Sequence, residues 1–327
     1  MRALLLIAAS ALAGCETLSY YAQAVSGHLD LMGRAQPVAE LLADSETAAP
    51  LRERLALARA LREFASRELK LPDNASFSTY AALERPYAVW NVVATPEFSL
   101  EPVQSCFPVA GCVAYRGFFA LADAERHAAR LRESGLDVIV SGAPAYSTLG
   151  AFADPLLSTF IDWPDAELAR LVFHELAHQL VYVKNDSTFN ESFAVVVERE
   201  GVRRWLAAAG REAERARYVE ARRSAAQFAA LLESARTELV EIYGSGAEPD
   251  AMRARKRAVL DALASDPVYR RHAQRFSGPP SNALLAAFAT YAELVPAFER
   301  LLAAEGGDLE RFYARVRELA RTGARPN

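Results

Sequence analysis

The chain has 327 residues, of which 52% are hydrophobic and 24% charged, enough apolar material for a large buried core and too much for a disordered chain. Its formal net charge of -4 leaves no global basic surface to neutralise phosphates, which argues against nucleic acid as a partner. With only three cysteines and five histidines, each can be weighed singly.

The chain opens MRALLLIAASALAGC, in which Arg2 precedes an apolar run from Ala3 to Ala13. That is a secretory signal pattern, too short to span a bilayer as a stable helix. Leu12-Ala13-Gly14-Cys15 resembles the lipobox of bacterial lipoproteins, which implies a lipidated Cys15 as first mature residue and stable anchoring by several acyl chains. An ordinary cleaved signal is the alternative. Glu16 is not the aspartate associated with inner-membrane retention, so the same resemblance implies the envelope of a Gram-negative bacterium, a periplasm-facing chain and the outer membrane.

Helical spacing follows over Tyr20 to Leu42 and over Leu51 to Leu69, the second bracketed by Pro50 and Pro72. Leu55, Ala58, Leu61, Phe64 and Ala65 make an apolar stripe that suits core packing better than a groove. Tyr20 and Tyr21 lie close to Cys15 and fit either a membrane interface or ordinary packing. After Pro72 the β-branched and aromatic runs Tyr87 to Val93, Val113 to Phe119 and Asp137 to Val140 predict strands of one sheet, the last after a helix ending at Gly135. Cys106 and Cys112 flank FPVAG and are the cysteines left once Cys15 is lipidated; in an exported chain such a pair reads as a disulfide. Two thiolates with no histidine nearby do not complete a second metal site. The small residues of Ser141 to Phe152 would let another backbone approach, or else simply make turns.

The segment from Glu167 to Gly201 carries the chemistry. Leu168, Leu171, Val172, Leu176, Leu180 and Val181 recur at helical spacing, predicting a buried helix from near Pro164 to near Val183. His174 and His178, four apart in HELAH, share a face of it and can offer imidazole nitrogens to one metal ion. Glu175 stands where a carboxylate can take a proton from a metal-bound water. Catalytic zinc usually takes three protein ligands, and Glu191, thirteen positions past His178, is the natural third. Lys184-Asn185-Asp186-Ser187 predicts a short turn, and Asn190 a cap for a second helix beginning at Glu191, which brings Glu191 back beside the histidines. A chance HExxH string is the alternative; the cost of burying Glu175 among LVF and LAHQLV weighs against it. Glu198, one heptad after Glu191, is placed either to accept the second N–H of a ligand histidine or to form a surface ion pair.

Beyond Gly201, Arg211 to Tyr243 and Ala251 to Ala264 predict charged helices with solvated outer faces, and acids dilute the Arg253 to Arg257 patch. Ser281 to Leu319 turns apolar again and is expected to pack back on the core.

HELAH followed by NESFA resembles the gluzincin metallopeptidases, whose third ligand is a glutamate on the next helix, commonly in an NEGFA-like string. The interval here is shorter than in the better-known gluzincins. Together with the lipoprotein start and SCFPVAGCVAYRGFF, it resembles a bacterial family of putative aminopeptidases along nearly the whole chain. The resemblance implies a zincin-like α+β fold, mostly helical, with a small mixed sheet packed on the HExxH helix and extra N- and C-terminal helices. It implies one Zn2+, a peptide substrate, and a late tyrosine that stabilises the transition state, for which Tyr291 is the candidate, with Asn282 near it. The expected segments are a signal peptide at 1–15, a helical segment at 16–72, a catalytic core at 73–210 and a helical region at 211–327. An aminopeptidase also needs an acid for the substrate's free amino group, and the SGAPAYSTLG stretch has none, which leaves Asp154 and Glu198 as substitutes. Two other functions stay open, a zinc endopeptidase of the envelope and a non-catalytic lipoprotein; the intact Glu175 speaks against the second.

Overall fold

Long runs of alanine, leucine, arginine and glutamate make this chain mostly helical. The computed structural model describes residues 2–107, 111–145, 147–273 and 278–326, with side chains described at all of these except 2–17 and 290–292. An N-terminal arm comprises α1 (Arg2–Gly33), the short strand β1 (Gln36–Pro37), α2 (Val38–Ala43) and α3 (Ala49–Leu69). Next come β2 (Thr79–Ala81), β3 (Val89–Thr95), β4 (Ser105–Phe107), β5 (Gly111–Val113), β6 (Arg116–Phe118), α4 (Leu121–Glu133), β7 (Asp137–Ala143) and β8 (Leu156–Leu157). The remainder is helical: α5 (Asp165–Leu180), α6 (Ser187–Ala208), α7 (Glu212–Gly244), α8 (Pro249–Ser265), α9 (Pro267–His272), α10 (Asn282–Ala292), α11 (Val295–Ala304) and α12 (Leu309–Thr322). Among the described residues, no helix is long and apolar enough to cross a membrane.

The helix expected from Tyr20 to Leu42 is broken. It stops at Gly33, and Gln36 and Pro37 run extended against Tyr80 and Thr79 before α2 begins. Proline lacks the N–H a continuing helix needs, and glycine favours a helix end.

The three runs expected to share one sheet do so through β3, β6 and β7, and two smaller sheets accompany it among the described residues. Strands β6, β3 and β7 form an antiparallel sheet in that order, with Trp90 opposite Phe118 and Val92 opposite Val140. Alternation buries both of its faces: Val92, Val140 and Phe118 pack with Ala124 and Ala128 of α4, and Val93 and Ile139 with Leu232 of α7 and Leu284 of α10. This sheet therefore lies between α4 and α10 rather than on the HExxH helix. The stretch from Val113 to Phe119 is divided, because β5 pairs with β4 in a separate hairpin while β6 joins β3. A third, mixed sheet pairs β2 antiparallel with β1 and parallel with β8, and its Ala81, Leu156 and Leu157 are buried in the core around α5.

That core brings together α3, α5, α6, α11 and α12. Leu55, Leu61, Phe173, Phe193, Phe298 and Phe312 are almost fully buried in it. Gly201 sets the spacing, since a Cβ there would lie 2.7 Å from both Leu69 and the Phe173 ring. Helix α6 can thus approach α5 closely enough for side chains on the two helices to meet at one point.

Candidate metal centre

Helix α5 begins directly after Pro164 and carries Asp165 and Glu167 in its first turn, where acids suit the positive end of the helix dipole. Arg211 Nη1 donates to Asp165 at 2.7 Å, and Arg54 pairs with the same carboxylate. Leu168, Ala169, Val172, Phe173, Leu176 and Ala177 are buried to completion, which fixes the rotation of the helix. His174 and His178 are then carried, largely buried, to the side facing α6.

The turn between the helices differs from expectation at both ends, and α5 already stops at Leu180 rather than near Val183. Helix α6 starts a turn earlier than Glu191, and its N-cap is Asp186, whose side chain accepts from Phe189 N at 3.0 Å. Asn190 is no cap. It is buried and clamps Val183, accepting from the Val183 N–H at 2.7 Å and donating to its carbonyl at 2.8 Å. The clamp holds the end of α5 against the residue beside Glu191. The β4–β5 hairpin, closed by a Cys106–Cys112 disulfide, seats on the same turn. Cys112 N donates to Asn185 Oδ1 at 2.7 Å, and Gly111, at φ +78°, lies where a Cβ would strike Asn185 and Lys184.

The result is a convergence of three ligand atoms. His174 Nε2 lies 3.1 Å from His178 Nε2 and 3.2 Å from Glu191 Oε2, and His178 Nε2 lies 3.7 Å from the same oxygen. Atoms bound to one tetrahedral ion at about 2.0 to 2.2 Å stand about 3.3 to 3.6 Å apart, so the observed triangle fits a single cation. His174, His178 and Glu191 can hold a metal ion.

Behind the triangle, His174 Nδ1 meets Glu198 Oε2 at 2.9 Å, and Arg170 Nη1 donates to that oxygen at 3.1 Å. Arg170 also donates to Glu167 at 2.7 Å. A carboxylate on Nδ1 fixes the ring and leaves Nε2 as the ligating nitrogen. Glu198 thus takes the inner of its two sequence-predicted places. His178 Nδ1, by contrast, is buried without a partner among the described residues.

The charges of the cluster are mutually coupled. Burial works against a charged His174, but hydrogen bonds to Glu191 and Glu198 outweigh it and hold its pKa up at about 10. Burial likewise favours neutral carboxyls at Glu191 and Glu198. The two histidines win at Glu191, which stays well below the usual carboxylate range, and Arg170 with His174 win at Glu198, which is lowered too.

Glu175 is half-buried and makes no hydrogen bond or ion pair among the described residues, though its charge reaches Asp154 and Tyr115. Asp154 is buried and committed elsewhere: Thr148 donates to it from Oγ1 at 2.8 Å and from its backbone N at 3.0 Å. It pins residues 147–154 as a strap beside α5, with Gly150 packed near Gln179.

Sequence reasoning missed Tyr115, which joins β5 to β6. Burial pushes its phenol far up, and the charges of Glu191 and Glu175 add to the effect, so it keeps its proton within the field of those two carboxylates. Tyr182, just past α5, is raised in the same way by burial and Glu191. No sequence signal points to Tyr115, because its neighbourhood arises from contacts across the fold. Asn282 is not brought to the site: it is buried under the sheet, where it donates to the carbonyls of Glu97 and Ser99 at 3.0 Å each and accepts from Tyr243 at 2.8 Å. The side chains of Tyr291 and Cys15 lie outside the described residues.

The family model described as "Putative aminopeptidase" matches residues 19–326. Neither a curated protein nor a solved structure matches the chain.

Proposed function

Because the chain belongs to the putative aminopeptidase family, we propose that it is a zinc-dependent peptidase of the gluzincin kind, anchored through Cys15 to the periplasmic side of the outer membrane of a Gram-negative bacterium. The observation that carries this reading is the convergence of His174 Nε2, His178 Nε2 and Glu191 Oε2 beside an unengaged Glu175. His174, His178 and Glu191 would hold the zinc ion, which when bound would supply an activated water and a Lewis acid for the scissile carbonyl. Glu175 takes the water's proton and passes it to the leaving amine. Tyr115, kept protonated by burial, donates to the oxygen on which negative charge develops. Glu198 and Arg170 hold the His174 ring in place.

A specific observation favours an endopeptidase as the second reading. A substrate ammonium needs an available carboxylate, yet Glu198 is taken by His174 and Arg170, and Asp154 by Thr148. Hydrolysis by the full chain, supplied with zinc, is to be compared on a peptide with a free amino terminus and on the same peptide blocked. Cutting of the free form alone assigns an aminopeptidase, and cutting of both an endopeptidase. If neither is cut, or if Glu175→Gln cuts as fast as the parent, the peptidase mechanism is wrong.

A further inference from the structure

Helix α1 is docked on one side only. Its inner face meets the body at Gly27, where a Cβ would lie 2.1 Å from the Phe119 ring, at Gln23, whose Oε1 accepts from Phe119 N at 3.1 Å, and at Leu31, which is 1% exposed. Its outer face carries Leu18, Tyr21, Val25 and Leu29, at steps of three, four and four, so all four share one side of the helix. Leu18, Val25 and Leu29 are 72%, 58% and 63% exposed. Phe152, at the tip of the strap beside α5, is exposed as well and rests its ring 4.7 Å from that of His28 on α1. These five are the majority of the nine large apolar side chains exposed among the described residues, and a contiguous patch of this kind marks an interaction surface.

Two further observations decide what covers it. From Leu18 to Gly33 the helix carries one charged residue, Asp30, which is paired with Arg34 at 3.0 Å, so the outer stripe itself is uncharged. Beside Tyr21 opens a cavity of about 260 Å³ lined by Tyr20, Tyr21, Ser105, Phe107 and Arg116. The Arg116 guanidinium lies 4.0 Å over the Tyr20 ring, its Nε is buried without an acceptor, and no carboxylate among the described residues pairs with it. A stripe for apolar chains beside a cation without an anion matches a phospholipid, with its acyl region along the stripe and its phosphate on the guanidinium. Tyrosine at the border of the two suits the bilayer interface.

We infer that α1 lies against a phospholipid surface along Leu18, Tyr21, Val25 and Leu29, and that the Arg116 cavity takes a lipid phosphate. This rests on the proposed attachment at Cys15, three residues before Leu18, which keeps lipid at high local concentration. It goes beyond that attachment by fixing which side of the protein meets the membrane. Phe152 ties that side to the strap of residues 147–154, whose Gly150 packs near Gln179 of α5.

The test uses the full lipidated chain in phosphatidylcholine vesicles whose acyl chains carry bromine, a contact quencher of indole. Val25→Trp and Leu29→Trp report on the stripe, Val240→Trp is an exposed control on α7, and the parent chain corrects for native tryptophans. Quenching at positions 25 and 29 but not 240 is expected. Adding Arg116→Gln to Val25→Trp is expected to lose part of that quenching, whereas inorganic phosphate at the lipid's phosphate concentration leaves it unchanged. A chain that floats with the vesicles yet shows no quenching at 25 or 29 overturns the inference while leaving the anchor intact. A chain that does not float overturns both. Indole quenching that follows the protein-to-lipid ratio instead of bromine would assign the stripe to a second copy of the chain. Equal quenching with and without Arg116, or loss of quenching with inorganic phosphate, would remove the lipid-phosphate site. None of these readouts depends on hydrolysis, so failure of the peptidase reading is seen separately.

Discussion

The half of the molecule built on the antiparallel sheet and the half built on α5 and α6 both bury ionisable groups, but they treat them in opposite ways. In the sheet half the chain supplies its own counter-charge: Lys256 Nζ donates to Asp137 Oδ2 at 2.7 Å and to the Glu97 carbonyl at 2.8 Å, and Asn282 donates to the Glu97 and Ser99 carbonyls. Between α5 and α6, two imidazole nitrogens and a carboxylate oxygen face one another, and among the described residues no lysine or arginine pairs with Glu191. A cluster that satisfies itself is structural. One whose ligand atoms all point inward can hold a cation from outside.

That contrast can be broken by substitution. The largest effect belongs to Glu175→Gln, which should lower hydrolysis by about 10²- to 10⁴-fold while metal content stays at the parent level, since Glu175 is not a ligand. Rates and metal analysis on the same preparation check it. Lys256→Ala leaves Asp137 without its partner and should cost about 2 kcal/mol in chemical denaturation, less than a fully buried pair because Asp137 is partly exposed, with metal uptake unchanged. Glu198→Gln should do the reverse, weakening metal affinity by about 10- to 100-fold in a competition titration through loss of the hold on His174. The smallest effect is expected of Asp186→Ala, which removes the N-cap of α6 and should lower stability by about 1 kcal/mol in the same denaturation. If Lys256→Ala disturbs metal uptake as much as Glu198→Gln does, the two halves are not separable in this way.

How much of this was legible in the sequence follows from the range of the interactions. His174 and His178 share a helix, and their four-residue spacing dictates a common face, so the structure places both as the motif predicts. Glu191 lies one short turn away, and its return was foreseeable from that turn's length, although the capping residue was not: two residues near the turn suit the role, and Asp186 rather than Asn190 takes it. The heptad from Glu191 to Glu198 made contact with His174 one of two open options, which only packing across α5 and α6 could decide. Tyr115 and the sheet's position between α4 and α10 depend on residues far apart in the chain, and no local pattern encodes them. Asn282 shows the converse, an apparent site residue whose side chain is spent on backbone carbonyls under the sheet.

The most direct test of a cation site between α5 and α6 is a metal titration of the demetallated full chain, followed by calorimetry, beside His178→Ala and Glu191→Ala. One zinc ion bound per parent chain, with affinity lost in both variants, is the predicted result. No uptake by the parent, or uptake that survives both substitutions, would contradict it.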